Sequence, residues 1–117
     1  MPSQGRFLFS AAMDVTPDKD ALFNEVYDTE HVPMLSRVPG VIAIARFKRR
    51  ELTLSIGGKN QTIVIEGEPS YNALYEIESP QVLTSDAWAR AVEEGRWPAL
   101  VRPHTKNRRH VLYERLP

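Results

Sequence analysis

The feature that most limits what this chain can fold into is a strand that is apolar on both sides. From Arg6 to Val15, Phe7, Phe9, Ala11 and Met13 fall on one face, and Leu8, Ser10 and Ala12 on the other. One layer of helices covers only one face of a sheet, so the second face needs another cover.

The rest of the chain supplies one such layer. Thr16-Pro17-Asp18 opens a helix, with Thr16 as N-cap and Pro17 in the first turn. Leu22, Phe23, Val26, Tyr27 and Met34 follow helical spacing, and Pro33 ends or kinks the segment. Val41 to Arg49 reads as a strand with Val41, Ala43, Ala45 and Phe47 on one face. Leu52, Leu54 and Ile56, then Thr62 to Ile65, flank Gly57-Gly58-Lys59-Asn60 as an added hairpin at about 51–66. Tyr71 to Glu78 is a further strand with Tyr71, Ala73, Tyr75 and Ile77 aligned. Thr84 or Ser85 caps a second helix running to about Glu94, and Gly95 stops it. Arg109 to Leu116 closes the chain as a strand. The order β-α-β-(hairpin)-β-α-β predicts an α+β fold: a ferredoxin-like split βαβ, with both helices on one face of an antiparallel sheet. The bare apolar face predicts a homodimer stacked sheet on sheet.

Length and charge narrow the partners. The 117 residues suit one domain, 1–117. Fifteen basic and fifteen acidic residues cancel, which argues against a nucleic-acid or anionic-membrane surface. No apolar run approaches the ~20 residues that span a bilayer. The N-terminus lacks a secretory pattern, and with no cysteine the expected compartment is cytoplasmic. Zero Cys also excludes a thiol nucleophile, and three separated histidines make no metal-ligand pair, so neither a metal nor a cofactor is expected.

The segment Phe23 to Phe47, FNEVYDTEHVPMLSRVPGVIAIARF, resembles the core signature of dimeric α–β barrel proteins, including the EthD-like group. The shared features are an aromatic-rich first helix, a Glu-His-x-Pro element and a Pro-Gly turn into the second strand. Leu83-Thr84-Ser85 with Trp88, Gly95-Arg96-Trp97, and the stretch from Val101-Arg102-Pro103 to Tyr113 are similar again. That superfamily holds metal- and flavin-free monooxygenases of polyketide phenols, muconolactone isomerases, haem-degrading enzymes, stress-response proteins and members with no assigned reaction. The resemblance implies a pocket between helices and sheet.

On a helical wheel Phe23, Tyr27 and Met34 share a stripe, with Glu30 near its centre and His31 at its border. Burial would raise the Glu30 pKa, and His31 titrates near neutrality, so the pair is the catalytic candidate for proton transfer. The bland alternative is a distorted helix end, with Glu30 bonded to backbone amides or an Arg and His31 satisfied beneath it. Arg102 and His104 lead into the last strand in a polar cluster with Asn107, Arg109 and His110. They would hold a carboxylate or phenolate, or form a solvated basic loop with an ion pair to Glu30 or Glu93. Phe23, Tyr27, Ser10, Tyr75 and Trp97 complete the substrate-binding candidates, each with a plain reading as core or strand surface.

These residues point to a cofactor-independent enzyme acting on a small aromatic, polyketide-like or lactone-like molecule, of isomerase, monooxygenase or dehydratase type. Two alternatives stand beside it: a non-catalytic binding or accessory protein of a catabolic pathway, and a haem-binding or haem-degrading protein.

Overall fold

The computed structural model describes residues 6–117. Six strands follow in chain order: β1 (Phe7–Val15), β2 (Val41–Lys48), β3 (Leu52–Ile56), β4 (Lys59–Ile63), β5 (Tyr71–Ile77) and β6 (Thr105–Glu114). Four make an antiparallel sheet in the order β2-β5-β1-β6, while β3 and β4 pair with each other as a separate hairpin. Helices α1 (Asp20–Val26) and α2 (Val32–Ser36) cross from β1 to β2, and α3 (Asp86–Ala91) lies between β5 and β6. This is the expected ferredoxin-like order, with β1 and β5 central.

Pro33 does not end the first helical segment. A π-helical turn, Tyr27–His31, joins α1 to α2, and the Val32 N–H bonds to the Tyr27 carbonyl five residues back. That wider turn seats Pro33 in the first turn of α2, where its missing N–H is not needed. Ser85 caps α3, its hydroxyl accepting from the Trp88 N–H at 3.1 Å. Thr16 is no such cap: its hydroxyl makes no hydrogen bond to the helix and is buried without a partner. A 3₁₀ turn, Pro17–Lys19, intervenes before α1. The last helix stops at Ala91, short of Glu94.

Phe7, Phe9, Ala11 and Met13 pack with Tyr71, Ala73, Tyr75 and Ile77 under the helices, against Phe23, Val26, Tyr27 and Leu35. On β2 the expected alignment breaks. A register shift between Val41 and Ala43 turns Val41 in with Ile44, leaving Ala43, Ala45 and Phe47 opposite Glu76, Leu74 and Asn72 on the other face. That open face also carries Leu8, Ser10, Ala12, Val111 and Tyr113, with Phe47 52% and Tyr113 55% exposed.

The hairpin turn is the two residues Gly57-Gly58, both at positive φ (62° and 83°), as a type I′ turn requires. Its register places Leu52, Leu54, Ile56 and Ile63 on one side, and Thr53, Ser55 and Thr62 on the other. All ten strand residues are exposed. No helix among the described residues is long and apolar enough to cross a membrane.

Candidate functional site

A cavity of about 170 Å³ lies between the helices and the β1–β6 side of the sheet. Its wall comes from two π-helical turns. The first carries Tyr27 and His31, and the second, Trp97–Val101, carries Trp97. The His31 and Trp97 rings stack with centroids 4.3 Å apart and planes at 19°. Phe9 and Tyr75 close the sheet side, Trp88 reaches in from α3, and Arg102, Arg108 and His110 stand at the solvent edge.

The wide first turn decides which polar residue faces inward. Each residue in a π turn rotates the chain less than in an α-helix, so the regular wheel overshoots. His31 moves onto the inward stripe, 5% exposed, and Glu30 swings off it. Glu30 instead accepts the Arg96 backbone N–H at 2.8 Å and a side-chain bond from Arg96 Nε. These bonds hold its carboxyl below the usual carboxylate range, the reverse of the expected upward shift. Ionised and paired outside the cavity, Glu30 pins the residue before Trp97. Gly95 makes this approach possible: its φ is +70°, and a Cβ there would lie 2.5 Å from Glu30 Oε1.

His31 also departs from the near-neutral titration expected of it. Burial, with a smaller effect from the Arg102 charge, lowers its pKa to about 4. The imidazole is therefore neutral at pH 7. Its Nδ1 is buried without a hydrogen-bond partner, a costly state for a polar atom.

Tyr27 and Tyr75 meet hydroxyl to hydroxyl at 3.2 Å. Burial raises both phenol pKa values, so both keep their protons. One proton serves the bond between them, which leaves the other for a ligand. Arg46 lies 4.5 Å over the Tyr27 ring and pairs with Asp28 at 2.6 Å, bracing the first π turn from outside.

The structure thus brings His31, Tyr27, Tyr75, Trp97 and Arg102 to one cavity. Arg102 does so while paired with Glu93 at 2.8 Å. Phe23 is fully buried behind the wall, against Tyr27, Tyr71 and Trp97. Ser10 is on the open face of the sheet, bonded to Asn72 at 2.9 Å. His104 belongs to a 3₁₀ turn whose carbonyl accepts the Thr16 N–H, and it does not line the cavity. Sequence reasoning missed Arg108 as a lining residue: the strand period puts it on one face with His110, two residues on, but does not say that this face meets the cavity. Trp88 lines the cavity as well.

No protein-family model matches the chain, and no curated protein does. Among solved structures it is similar to an ethyl tert-butyl ether D (EthD) family protein of Bacillus halodurans C-125, at 13% identity and TM-score 0.55, covering 94% of this chain and 99% of that one. It is equally similar to an antibiotic biosynthesis monooxygenase, at 14% identity and TM-score 0.55, covering 95% and 99%. A third is the haem degrader MhuD of Mycobacterium tuberculosis, solved with two haems in its active site, at 13% identity and TM-score 0.55, covering 95% and 96%. Likeness at this identity is a likeness of fold, and with the strand order it gives the chain a ferredoxin-like α+β fold.

Proposed function

We propose that the protein is a small enzyme that moves a proton on an aromatic, polyketide-like or lactone-like molecule held between the helices and the sheet. The observation that carries this reading is His31 itself, a neutral imidazole that lines an aromatic cavity and whose buried Nδ1 has no hydrogen-bond partner. A neutral imidazole there is a base ready to accept, and the spare tyrosine proton steadies the oxygen on which charge develops. The solved neighbours include a monooxygenase and a haem degrader, which agrees with small-molecule chemistry in this fold. The reaction type is an isomerisation, a cofactor-independent oxygenation or a dehydration.

The test is to incubate the protein in air with a panel of one-ring phenols and lactones, following products by mass spectrometry. His31→Ala is expected to cut turnover by about 10²–10⁴-fold while the protein stays folded, with a lowered melting temperature, and still binds ligand. Unchanged turnover overturns the reading, as does binding with no turnover of any compound, which makes the protein a non-catalytic binder.

A haem fits this site poorly. About 170 Å³ is below the ~300–1,000 Å³ of ordinary ligand sites and takes one ring rather than a tetrapyrrole. Haemin added to the protein should leave its absorbance spectrum unshifted.

The open face supports the homodimer. Phe47, Val111 and Tyr113 are exposed there beside Leu8 and Leu74, and stacking on a second copy covers them. Light scattering at micromolar concentration should give twice the chain mass, and a stable monomer would remove this part of the proposal.

A further inference from the structure

We infer that the cavity selects a one-ring aromatic carboxylate, with the carboxylate on Arg108 at the mouth and the ring against Trp97 beside His31. This deepens the reading above and rests only on the cavity being where the ligand binds, not on proton transfer by His31.

The charge balance of the lining points first to an anion. None of the lining side chains is acidic, Arg102 and Arg108 carry full positive charges, and His110 is held neutral by burial and the neighbouring Arg108 charge. The two cations are not equivalent. Arg102 is engaged by both carboxylate oxygens of Glu93 and by the Val92 carbonyl, so its donors are largely used. Arg108 makes no ion pair or hydrogen bond among the described residues. A free guanidinium fork at the edge of an aromatic cavity matches a carboxylate's two oxygens.

The strand is built to present that side chain. Between Ala12 and Asp14, β1 advances two residues while β6 advances three, from Arg109 to Lys106. The extra residue makes a bulge, and Asn107 takes the left-handed conformation, φ 52°. Its side-chain amide donates to Asp14 at 3.0 Å and to the Gly67 carbonyl at 2.6 Å. Arg109 turns to the open face, bonding Glu68, and Arg108 is left facing the cavity. A tethered bulge next to a pocket aims a side chain.

Size and polarity set the rest. The cavity admits one ring, and Trp88 and Trp97 both line it. An oxygen on the ring, opposite the carboxylate, would meet the part of the lining formed by the His31 imidazole and the spare tyrosine proton. The ligand's negative charge would also offset the Arg102 field that disfavours a proton on His31.

Both tryptophans of the chain line the cavity, so intrinsic fluorescence reports on it directly. The experiment titrates the full-length protein with 4-hydroxybenzoate and with its neutral isostere 4-hydroxybenzamide. The acid is expected to quench saturably and to bind about tenfold tighter than the amide. Arg108→Gln should remove most of that preference while leaving amide affinity and melting temperature unchanged, and Arg108→Lys should keep part of it. In the unmodified protein the preference should also shrink between low salt and about 0.5 M salt, because the mouth is open to solvent. Equal binding of acid and amide overturns the inference. So does the absence of saturable quenching by either, or a preference that survives Arg108→Gln. Preference for the acid with no loss of turnover in His31→Ala would sink the proton-transfer reading and leave this one standing.

Discussion

The cavity wall and the projecting hairpin lack opposite things. Around the cavity every large apolar side chain has neighbours, and what is missing is one polar contact, at His31 Nδ1. Along β3 and β4 the polar groups are satisfied by the ladder and by solvent, and what is missing is an apolar layer over the stripe of Leu52, Leu54, Ile56 and Ile63. An unpaired polar atom in an apolar hole asks for a small molecule with a matching group. An apolar stripe on a two-stranded ribbon, which is marginal by itself, asks for a surface. The same contrast predicts where substitutions cost stability and where they do not.

The largest effect belongs behind the wall. Phe23 is 0% exposed and touches the rings of Tyr27, Tyr71 and Trp97. Phe23→Ala should cost about 3–5 kcal/mol in chemical denaturation and disturb Trp97 fluorescence in the folded state. A cost under about 1 kcal/mol would mean that the two π turns do not depend on this packing.

His31 gives the next effect, and it is specific to pH. Its folded-state pKa is about 4 against an ordinary 6.5, so the unfolded chain takes up the proton first as pH falls. The stability tied to its neutral form is whole above about pH 6.5 and declines down to about pH 4, by up to about 3 kcal/mol. Denaturation series across this window should show the slope, and His31→Gln should flatten it. Glu30 acts lower: its contribution is whole above the usual carboxylate range and is lost progressively as the pH falls through that range toward its depressed folded-state pKa.

The sequence pattern made the strand order, the doubly apolar sheet and the hairpin legible, because side-chain alternation and turn chemistry are local. It also marked His31, Tyr27, Tyr75, Trp97 and Arg102, which do share one cavity. The Glu30 assignment failed on a single assumption, a constant rotation per residue from Phe23 to Met34. The π turn, which ends two residues before Pro33, breaks that periodicity. Ser10 failed for another reason: alternation says which residues share a face, not which face the helices cover. The β2 and β6 bulges each rephase one strand by a residue, so Val41 and Lys106 fall out of simple alternation. Arg108 keeps its period with His110, and only the contact between Phe9 and His110, ring centroids 5.8 Å apart, shows that this period faces the cavity.

A smaller loss is expected at Gly95, where two restrictions coincide. A left-handed φ costs a non-glycine residue about 1–2 kcal/mol, and the new Cβ would press on the Glu30 carboxylate. Gly95→Ala should therefore lower stability by about 2 kcal/mol and loosen Arg96, with Trp97 fluorescence shifting alongside. Glu30→Gln, which keeps the shape and weakens the bonds to Arg96, should shift the same fluorescence with less loss of stability. If Gly95→Ala unfolds the chain no more readily than the unmodified protein, the Glu30–Arg96 contact does not fix the second π turn.

The hairpin should give the smallest effect, and its size depends on concentration. Leu54 is 38% exposed and faces solvent in the single chain, so Leu54→Ser should change stability by less than about 0.5 kcal/mol in dilute protein. The serine also suits a strand surface and leaves the Gly57-Gly58 turn alone. If the hairpin lies against a second copy instead, mass action couples its apolar stripe to assembly, and the substitution lowers melting temperature increasingly as protein concentration rises. Melting curves at two concentrations a hundredfold apart separate the cases. No dependence, with the small cost, keeps the hairpin outside any interface between copies. A concentration-dependent loss ends the contrast with the cavity wall, because both regions would then be buried and only the partner would differ.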